Sequence, residues 1–244
     1  MKALIDADVL VYQAAAAATT TMEASFGDDL VLFPTVSVGE ACAIFDHLVE
    51  GIRDITEADS MQFALSAPTN FRKRLYDQYK ANRKGDRPMA YGHLREHAVD
   101  KYSATWVEDL EGDDLIGINS GPGTVIWSID KDMRTLPGLH VDLDTGDIID
   151  VSPEDALRNW MTQTLTGDAS DNYPGCRGIG KVRAERMLED VEPTIEAMWP
   201  VVVAAYNKTG QGETEALLMA RLARILQPND YENEKVKLWT PTIP

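Results

Sequence analysis

Short apolar segments that alternate with helical segments are the feature that most limits what this chain can fold into. Candidate strands stand at 2–5, 61–65, 104–107 and 124–129, the last rich in β-branched residues. Helical spacing of apolar residues occupies the intervals, for example after the capping box Ser37-Val38-Gly39-Glu40. Strands that alternate with helices predict an α/β fold with a mostly parallel central sheet flanked by helices.

The second half of the chain has a different pattern. We expect a β-hairpin at 139–151 that turns at Asp144-Thr145-Gly146-Asp147. Ser152-Pro153 then starts a helix, and further helices are expected near 181–189, 193–206 and 213–226, with no strand among them. The tail from 227 holds three prolines and is expected to pack as an extended strap. We therefore predict an α/β core over residues 1–151 and a helical portion over 152–244.

The charge of the chain is strongly acidic but unevenly distributed. Forty Asp and Glu residues against 23 Lys and Arg residues give a net charge of −17, which argues against a nucleic-acid partner for the chain as a whole. The segment RKRLYDQYKANRKGDR at 72–87 instead carries a net charge of +5 and two tyrosines. This composition is typical of a phosphate-binding surface with stacking aromatics, but a solvated helix face has it as well.

Acidic groups follow three of the expected strands. Asp6 follows the first, Glu111, Asp113 and Asp114 follow the third, and Asp130 and Asp132 follow the fourth. A single aspartate in such a place is usually a helix cap, but three groups at three strand ends are harder to explain in that way. Because the carboxyl ends of parallel strands share one edge of the sheet, we expect these groups to converge. Ligands that are all oxygen point to Mg²⁺ or Mn²⁺.

A glycine-rich segment is the most specific motif of the chain. GDASDNYPG at 167–175 is followed by Gly178-Ile179-Gly180-Lys181, which has the form of a helix–hairpin–helix. Glycines in such a motif let backbone N–H groups approach a DNA phosphate at a helix N-terminus. A Gly-x-Gly sequence alone is weak evidence, whereas the two segments joined together are specific.

These segments together resemble the 5′ nucleases, also called flap endonucleases, and in particular the 5′→3′ exonucleases of T-odd-type bacteriophages. The matching segments span nearly the whole chain: LIDADVL at 4–10, FRKRLYDQYKANRK at 71–84, LEGDDLIG at 110–117, SIDKDM at 128–133, GDASDNYPG at 167–175, GIGKVRA at 178–184 and, more loosely, MARLARILQPNDY at 219–231. The resemblance implies a PIN-like 5′ nuclease core and a helix–hairpin–helix (H3TH) motif in the helical portion.

The resemblance also implies two divalent metal ions. Asp6, Glu111 and Asp113 match ligands of the first ion, and the residues that match the second site are Asp114, Asp130, Asp132, Asp168 and Asp171. Mg²⁺ is the expected ion, with Mn²⁺ as a substitute, and Asp6, Asp113 and Asp130 are expected to be catalytic. Carbonyl groups around Gly175, Gly178 and Gly180 are expected to hold a K⁺ ion, as in relatives.

The basic segment is implied to form an arch over about residues 66–95 that clasps the 5′ end of a DNA strand. Lys80 and Arg83 would contact the scissile phosphate and stabilise its developing charge, or serve only for binding. Tyr79 would stack on a terminal base, or pack in the protein. The remaining implied DNA contacts are Arg72, Lys73, Arg74 and Lys84 along the strand, and Gly178, Gly180, Lys181 and Arg183 on duplex phosphate.

One position departs from the family pattern. The family has a metal-site aspartate after the second strand, whereas this chain has Leu65-Ser66-Ala67-Pro68-Thr69. The first ion would then bind more weakly, or through Ser66 and water. Substitution by Asp8 is the less favoured alternative, because Asp8 lies two residues after Asp6 where the chain turns into a helix.

The expected function is a Mg²⁺-dependent 5′→3′ exonuclease that acts on duplex, nicked or flapped DNA, with flap endonuclease or RNase H-like primer removal on RNA–DNA hybrids. The alternatives are a PIN-type RNase and a non-catalytic or weakly active DNA-structure binder. No apolar run approaches the ~18 residues of a membrane span. The two cysteines and the absence of a signal-peptide pattern favour the cytoplasm, the host's if the chain is phage-encoded. A monomer is assumed.

Overall fold

The computed structural model describes residues 1–26, 29–83 and 85–242. In chain order its elements are β1 (Lys2–Asp6), α1 (Ala7–Ala17), β2 (Thr19–Phe26), β3 (Asp29–Val36), α2 (Val38–Thr56), β4 (Ser60–Ala64), α3 (Arg72–Leu75), α4 (Tyr91–Tyr102), α5 (Gly112–Asn119), β5 (Thr124–Trp127), a 3₁₀ helix (Lys131–Thr135), β6 (Gly138–Val141), β7 (Ile148–Val151), α6 (Pro153–Thr166), α7 (Lys181–Leu188), α8 (Ile195–Lys208), α9 (Gly212–Ala223), β8 (Tyr231–Glu232) and β9 (Lys235–Val236).

A five-stranded sheet in the order β4-β1-β5-β6-β7 forms the centre of the fold. β1 pairs in parallel with β4 and β5, β5 pairs in parallel with β6, and β7 closes the edge antiparallel to β6. Ala3, Leu4 and Ile5 of β1 are buried, as expected for a central parallel strand that is covered on both faces. The predicted α/β class, the mostly parallel sheet and the hairpin at 139–151 are confirmed.

The predicted strand at 104–107 is wrong, because only one bridge forms there. Thr105 N donates to Phe63 O at 3.0 Å, and Leu65 N donates to Thr105 O at 2.9 Å. The next residue, Trp106, is largely exposed, and the chain then turns, with Leu110 N donating to Val107 O. Apolar content alone therefore does not extend the sheet where the chain leaves its edge.

The hairpin of β2 and β3 is not among the predicted elements. Its strands pair antiparallel from Thr19↔Val36 outward, and they form a sheet separate from the central one. A usable signal is present, since the threonines at 19–21 and the run LVLFPTV at 30–36 are rich in residues that favour strands. The helical pattern before residue 19 and the capping box at 37 leave room for such a hairpin.

The expected arch is not a continuous helix in the described residues. After the four-residue α3, residues 76–83 and 85–90 form turns and irregular loop, and helix resumes only at Tyr91. Tyr76 has an extended backbone, and Lys80 has a φ of +55°, in the left-handed region, which interrupts a right-handed helix. Lys84, a predicted DNA contact, lies outside the described residues.

The second half is helical, as predicted, and its tail returns to the sheet. Trp199 and Tyr206 lie fully buried between α6, α8 and α9. Ile225 and Leu226, just after α9, pack with apolar residues of β1 and β5. Within the tail that we expect to be an extended strap, Tyr231 and Glu232 pair with Val236 and Lys235 in the short β8–β9 hairpin, which was not predicted. The division at 151/152 stays a prediction. Among the described helices, none has both the length and the apolar character needed to cross a membrane.

Candidate metal and nucleic-acid site

Asp6 ties together the carboxyl ends of two neighbouring strands. It ends β1 and caps α1, and its Oδ1 accepts a hydrogen bond from Val9 N at 3.3 Å. Its Oδ2 accepts a second hydrogen bond, at 2.9 Å, from the hydroxyl of Ser128, which follows β5. The side chain is buried at the edge of the sheet where the parallel strands have their carboxyl ends.

A second acidic group begins α5 beside this edge. Glu111 caps the helix, and Asp113 and Asp114 lie in its first turn, where the helix dipole favours negative charge. Glu111 N donates to Asp114 Oδ2 at 3.2 Å, which fixes the start of the helix. Because α5 contacts β1 and β4, its N-terminus delivers these acids to the end of β1 that carries Asp6.

The third and fourth groups follow β5 and α6. Asp130 caps the 3₁₀ helix by accepting from Asp132 N at 2.9 Å. Asp132 Oδ2 accepts from Gln163 Nε2 of α6, and this contact joins the sheet edge to the helical portion. In the loop after α6, Asp168 Oδ1 accepts from the backbone N of Ser170 and of Asp171. These bonds hold the loop that presents Asp171.

Two cavities lie among these side chains. A cavity of about 590 Å³ is lined by Asp6, Glu111, Asp113 and Asp130 together with Lys80 and Arg83. A much smaller one, of about 20 Å³, is lined by Glu111, Asp113, Asp130, Asp132 and Asp171. The structure thus places acids from β1, α5, the 3₁₀ helix and the loop after α6 around adjoining spaces.

The carboxylates strongly disfavour each other's charge. Burial, followed by the charge of Asp8, raises the pKa of Asp6 to about 7. Burial and the neighbouring Asp130 and Asp168 raise the pKa of Asp132 to about 7 as well. The pKa of Asp113 is also raised, by burial first and then by Asp6 and Asp130. Such a set of crowded oxygens is what a hard divalent cation stabilises.

Two cations of the basic segment reach into the cluster. Lys80 Nζ pairs with Glu111 Oε1 and lies 3.5 Å from Asp171 Oδ2. Arg83 Nη2 lies 2.7 Å from Asp171 Oδ1, although its side chain is 57% exposed. Burial by itself would raise the pKa of Glu111, but Lys80 and Arg72 outweigh it and lower that pKa to about 2.

The donor chemistry fits a divalent cation, although the ligands are not already turned toward one point. Within residues 1–26, 29–83 and 85–242, no three Asp, Glu, His or Cys side chains form a ready set of ligands. Glu111 and Asp171 face Lys80 and Arg83 instead. Binding of a metal ion at these two residues would therefore require carboxylate oxygens to exchange a protein cation for the metal ion.

The chain is similar to exonucleases of two bacteriophages over nearly its whole length. No protein-family model matches the chain. It is 29% identical to the exodeoxyribonuclease of Enterobacteria phage T3, over 98% of this chain and 92% of that protein. It is 27% identical to the exonuclease of Escherichia phage T7, over 98% and 93% of the two chains. These relatives confirm the predicted resemblance to phage exonucleases.

Solved structures of phage T5 nucleases share the fold. The zinc-bound 5′-exonuclease of T5 matches with a TM-score of 0.65 at 13% identity, over 94% of this chain and 90% of that one. A flap endonuclease of bacteriophage T5, in a complex with DNA and metal ions, matches with a TM-score of 0.62 at 14% identity, over 93% and 89%. At this identity the likeness establishes the 5′ nuclease fold.

The 5′ nuclease motif places Asp114 among metal ligands and Arg72 among DNA contacts, and the structure contradicts both assignments. Arg72 donates to both oxygens of Asp114, each at 2.7 Å, and Nη1 also donates to Glu111 Oε2 at 3.1 Å. Asp114 is 0% and Arg72 is 2% exposed. Leu226 N donates a further hydrogen bond to Asp114 Oδ1 at 3.1 Å. The two residues form a buried ion pair, out of reach of DNA.

Tyr79 is likewise not a stacking platform for a base in this structure. Its side chain is 2% exposed, and its ring stacks on that of Tyr173 with a centroid distance of 6.3 Å. The hydroxyl donates toward Asp171 Oδ2 at 2.7 Å and Glu111 Oε2 at 3.0 Å. The structure therefore supports the alternative of internal packing, because the ring is buried and its hydroxyl contacts two carboxylates of the acidic cluster.

The remaining predicted DNA contacts lie at the surface. Lys73 and Arg74 are exposed on α3, and Arg74 pairs with Asp109 at 2.6 Å. Lys181 is exposed at the start of α7, which Gly180 caps. Gly178 adopts a φ of +71°, and its carbonyl accepts from Arg183 Nη1 at 3.2 Å. These positions are accessible to a phosphate backbone, and their role stays a prediction.

A broad groove connects α7 with the acidic cluster. It has a volume of about 950 Å³, and its basic lining residues are Lys131, Arg134, Arg158, Lys181 and Arg186. Asp132 of the cluster also lines it. Lys131 and Arg134 were not predicted as contacts, although Lys131 lies between two acids of the motif and Arg134 follows one helical turn later.

Two of the carbonyl groups that are expected to hold K⁺ already accept hydrogen bonds from side chains. Gly175 O accepts from Gln211 Nε2 at 3.2 Å, and Gly178 O accepts from Arg183. Gln211 also accepts from Arg177 N at 2.8 Å, so its amide crosslinks this loop to the start of α9. The K⁺ ion stays a prediction.

Ser66, at the position where the sequence resemblance implies a metal-site acid, makes different contacts. Asp8 Oδ2 accepts from Ser66 N at 2.6 Å, and Asp8 Oδ1 accepts from Arg95 Nη1 at 2.7 Å. Ser66 Oγ accepts from Gly112 N at 3.0 Å. Asp8 is thus paired with Arg95, a residue that no sequence motif marked, and is not a free substitute ligand.

Proposed function

We propose that this chain is a divalent-metal-dependent 5′→3′ exonuclease that hydrolyses phosphodiester bonds from the 5′ end of duplex DNA. The observation that carries the proposal is one cavity of about 590 Å³ in which Asp6, Asp113 and Asp130 face Lys80 and Arg83. Carboxylates for metal ions and cations for a phosphate are the two requirements of phosphodiester hydrolysis. The phage T3 and T7 relatives, named as exonucleases, support this reading.

The carboxylates divide into two groups that could each hold an ion. Asp6, Glu111 and Asp113 would hold the first, and Asp130, Asp132, Asp168 and Asp171 would hold the second. Mg²⁺ is the favoured ion because every ligand is oxygen, and Mn²⁺ accepts the same set. When bound, two such ions supply a water of lowered pKa and stabilise negative charge on the phosphate. The zinc-bound T5 enzyme supports dependence on a divalent metal.

Lys80 and Arg83 serve the substrate in this proposal. Each now neutralises a carboxylate of the cluster, so each becomes available as metal ions take over that task. Arg83, more than half exposed, is free to turn toward an entering phosphate. A cation close to the scissile phosphate stabilises charge that develops in the transition state. Lys80 is held more deeply and is the better placed of the two for that role.

Exposed basic residues would hold the DNA away from the cut. Lys73 and Arg74 are exposed on α3, Arg183 is exposed on α7, and Lys181 lines the groove of about 950 Å³. Because the rest of the chain is acidic, we expect modest affinity that falls steeply with salt. The T5 flap endonuclease bound to DNA supports a DNA partner. The proposal also includes nicked, flapped and RNA-primed substrates. It further includes a monomeric state and a location in the host cytoplasm.

The test is release of nucleotides from 5′-labelled duplex DNA in Mg²⁺. Asp130→Ala and Asp171→Ala should each abolish release while DNA binding persists. Asp100→Ala, an exposed acid on α4 outside the cluster, is the matched control and should cut normally. Release that survives in both cluster variants, or in excess EDTA, would contradict the two-metal proposal. Blunt, flapped and RNA-primed substrates compared side by side would define the preferred end.

A second candidate function is a DNA-structure binder without chemistry. Its support is Ser66, whose hydroxyl accepts from Gly112 N where the sequence resemblance implies a metal-site acid. The other crowded acids weigh against it, because buried like charges are costly to keep without cations. Structure-selective binding with no release at any Mg²⁺ or Mn²⁺ concentration would favour the binder.

A further inference from the structure

The small cavity inside the acidic cluster has room for about one water molecule. Its volume is about 20 Å³, just above the roughly 10–15 Å³ that a single water requires. The acids that line it come from α5, the 3₁₀ helix and the loop after α6, and its remaining polar lining includes Gln163 and Tyr173. A space of this size with this lining is a site for one small polar species.

Two buried side-chain polar atoms among the described residues lack a hydrogen-bond partner, and both belong to residues that line this cavity. They are Gln163 Oε1 and the hydroxyl of Tyr173. Tyr173 is only 3% exposed, so bulk water does not satisfy its hydroxyl. Buried polar groups without partners are rare, and each one calls for a ligand or an ordered water.

The orientation of the Gln163 amide is set by its neighbour. Its Nε2 lies 2.5 Å from Asp132 Oδ2, and a metal ion at the site would keep Asp132 ionised, so that this carboxylate only accepts hydrogen bonds. The nitrogen must therefore face Asp132, which leaves Oε1 as an acceptor with no donor. Since the surrounding carboxylates are acceptors too, the missing species has to be a donor.

A water bound to a metal ion is such a donor. Its lone pair is directed at the ion, so its two O–H groups must find acceptors, and Mg²⁺ usually keeps several waters. We propose that Gln163 Oε1 and the Tyr173 hydroxyl hold a water ligand of the second metal ion, and that Gln163 Nε2 positions Asp132 for that ion. The inference rests on the proposed function above and names Gln163, which lies outside the family motifs, and Tyr173, which lies within GDASDNYPG but has no role assigned there.

The test measures Mn²⁺ binding to the purified chain by isothermal titration calorimetry. Gln163→Met removes the acceptor and the donor while keeping length, and Tyr173→Phe removes only the hydroxyl. Each should weaken Mn²⁺ binding at one of two sites by about tenfold, the lower end of the usual effect of groups that orient metal ligands. Asn159→Met, one turn earlier on α6, is the control, because its Nδ2 donates to Arg134 O outside the cavity.

Thermal unfolding in EDTA separates a metal role from a structural one. Because the Tyr173 hydroxyl has no partner in the metal-free chain, Tyr173→Phe should not lower its unfolding temperature, whereas Gln163→Met also loses the hydrogen bond from Nε2 to Asp132 and should lower it slightly. Unchanged Mn²⁺ affinity in both variants would overturn the proposal. Reduced metal-free stability with unchanged affinity would overturn it as well, and would assign the cavity to an ordinary buried water. If the wild-type chain binds no Mn²⁺, the proposed function itself is wrong. If the wild-type chain binds Mn²⁺ and cuts DNA, and both variants have the same Mn²⁺ affinity, only this inference is wrong.

Discussion

The guanidinium of Arg72 holds the carboxylate of Asp114 through two parallel hydrogen bonds of 2.7 Å each. The same guanidinium donates to the carbonyls of Leu222 and Arg224, at the end of α9. The pair therefore joins α3, α5 and the last helix at one point beside Glu111. An ion pair in this position connects the helical second half of the chain to the acidic cluster.

We predict that Arg72→Ala lowers the free energy of unfolding by about 3–5 kcal/mol, because it leaves Asp114 buried and unpaired. Urea unfolding of the metal-free chain measures the change. Arg74→Ala is the matched control, since Arg74 is exposed and pairs with Asp109 at the surface. The control should stay within about 1 kcal/mol of the wild type. Equal, small losses in both variants would show that the buried pair is not essential for stability.

Gly117 gives a second prediction about the junction of the two halves. A Cβ at this position of α5 would lie 2.1 Å from the carbonyl oxygen of Leu226 and 2.9 Å from Ile225 Cγ2. Since a backbone carbonyl cannot easily move aside, Gly117→Ala should destabilise the chain by roughly 1–3 kcal/mol. Gly51→Ala, in α2 with open space around it, should instead stabilise by roughly 0.5–1 kcal/mol. Chemical denaturation compares the two, and a shared sign would contradict the packing argument.

The crowded acids predict a pH dependence of stability. Asp6 and Asp132 have a pKa of about 7 in the folded chain, against 3.8 ordinarily, mainly because of burial. A raised pKa means that the folded state binds the proton more tightly, so this stabilisation is complete below about pH 4 and is lost as the pH rises through about 7. In EDTA, the unfolding temperature should therefore fall between about pH 4 and 7.

Mg²⁺ should reverse that loss, because it competes with the same protons. The rise in unfolding temperature on adding Mg²⁺ should grow with pH over this range. Thermal unfolding in EDTA and in Mg²⁺ at matched pH measures both curves. The double variant Asp6→Asn, Asp132→Asn should have a flatter curve in EDTA and a smaller response to Mg²⁺. A metal response that is independent of pH would contradict the prediction.

Lys80 and Lys73 should separate catalysis from binding. Lys80 pairs with Glu111 and Asp171 in the cluster, whereas Lys73 is exposed on α3. Lys80→Ala should lower the single-turnover cleavage rate by about 10²–10³-fold, the effect of removing one group that stabilises transition-state charge. Lys73→Ala should mainly weaken DNA affinity and reduce its salt slope by about one. If Lys80→Ala changes only affinity, Lys80 is a binding residue.

Much of the fold follows from local pattern. The parallel sheet, the hairpin at 139–151 and the helices of the second half follow from periodicity and caps that neighbouring residues carry. The strand expected at 104–107 fails because pairing depends on a partner edge, which only Thr105 meets. Residues 19–36 show the converse, since their strand-forming composition is evident once the β2–β3 pairing is known.

The sequence by itself determined the class of fold, the family motifs and the sheet edge at which the acids stand, because strand ends and residue spacing are local properties. Only the tertiary structure decided what each charged group contacts. Arg72 and Arg83 belong to the same basic segment, yet one is buried against Asp114 and the other reaches Asp171 from the surface. Gln163 and Arg95, which no motif marks, enter the site in the same way. Burial and partner choice depend on chain segments far apart in sequence, and these set whether a charge stabilises the fold or remains available for a ligand.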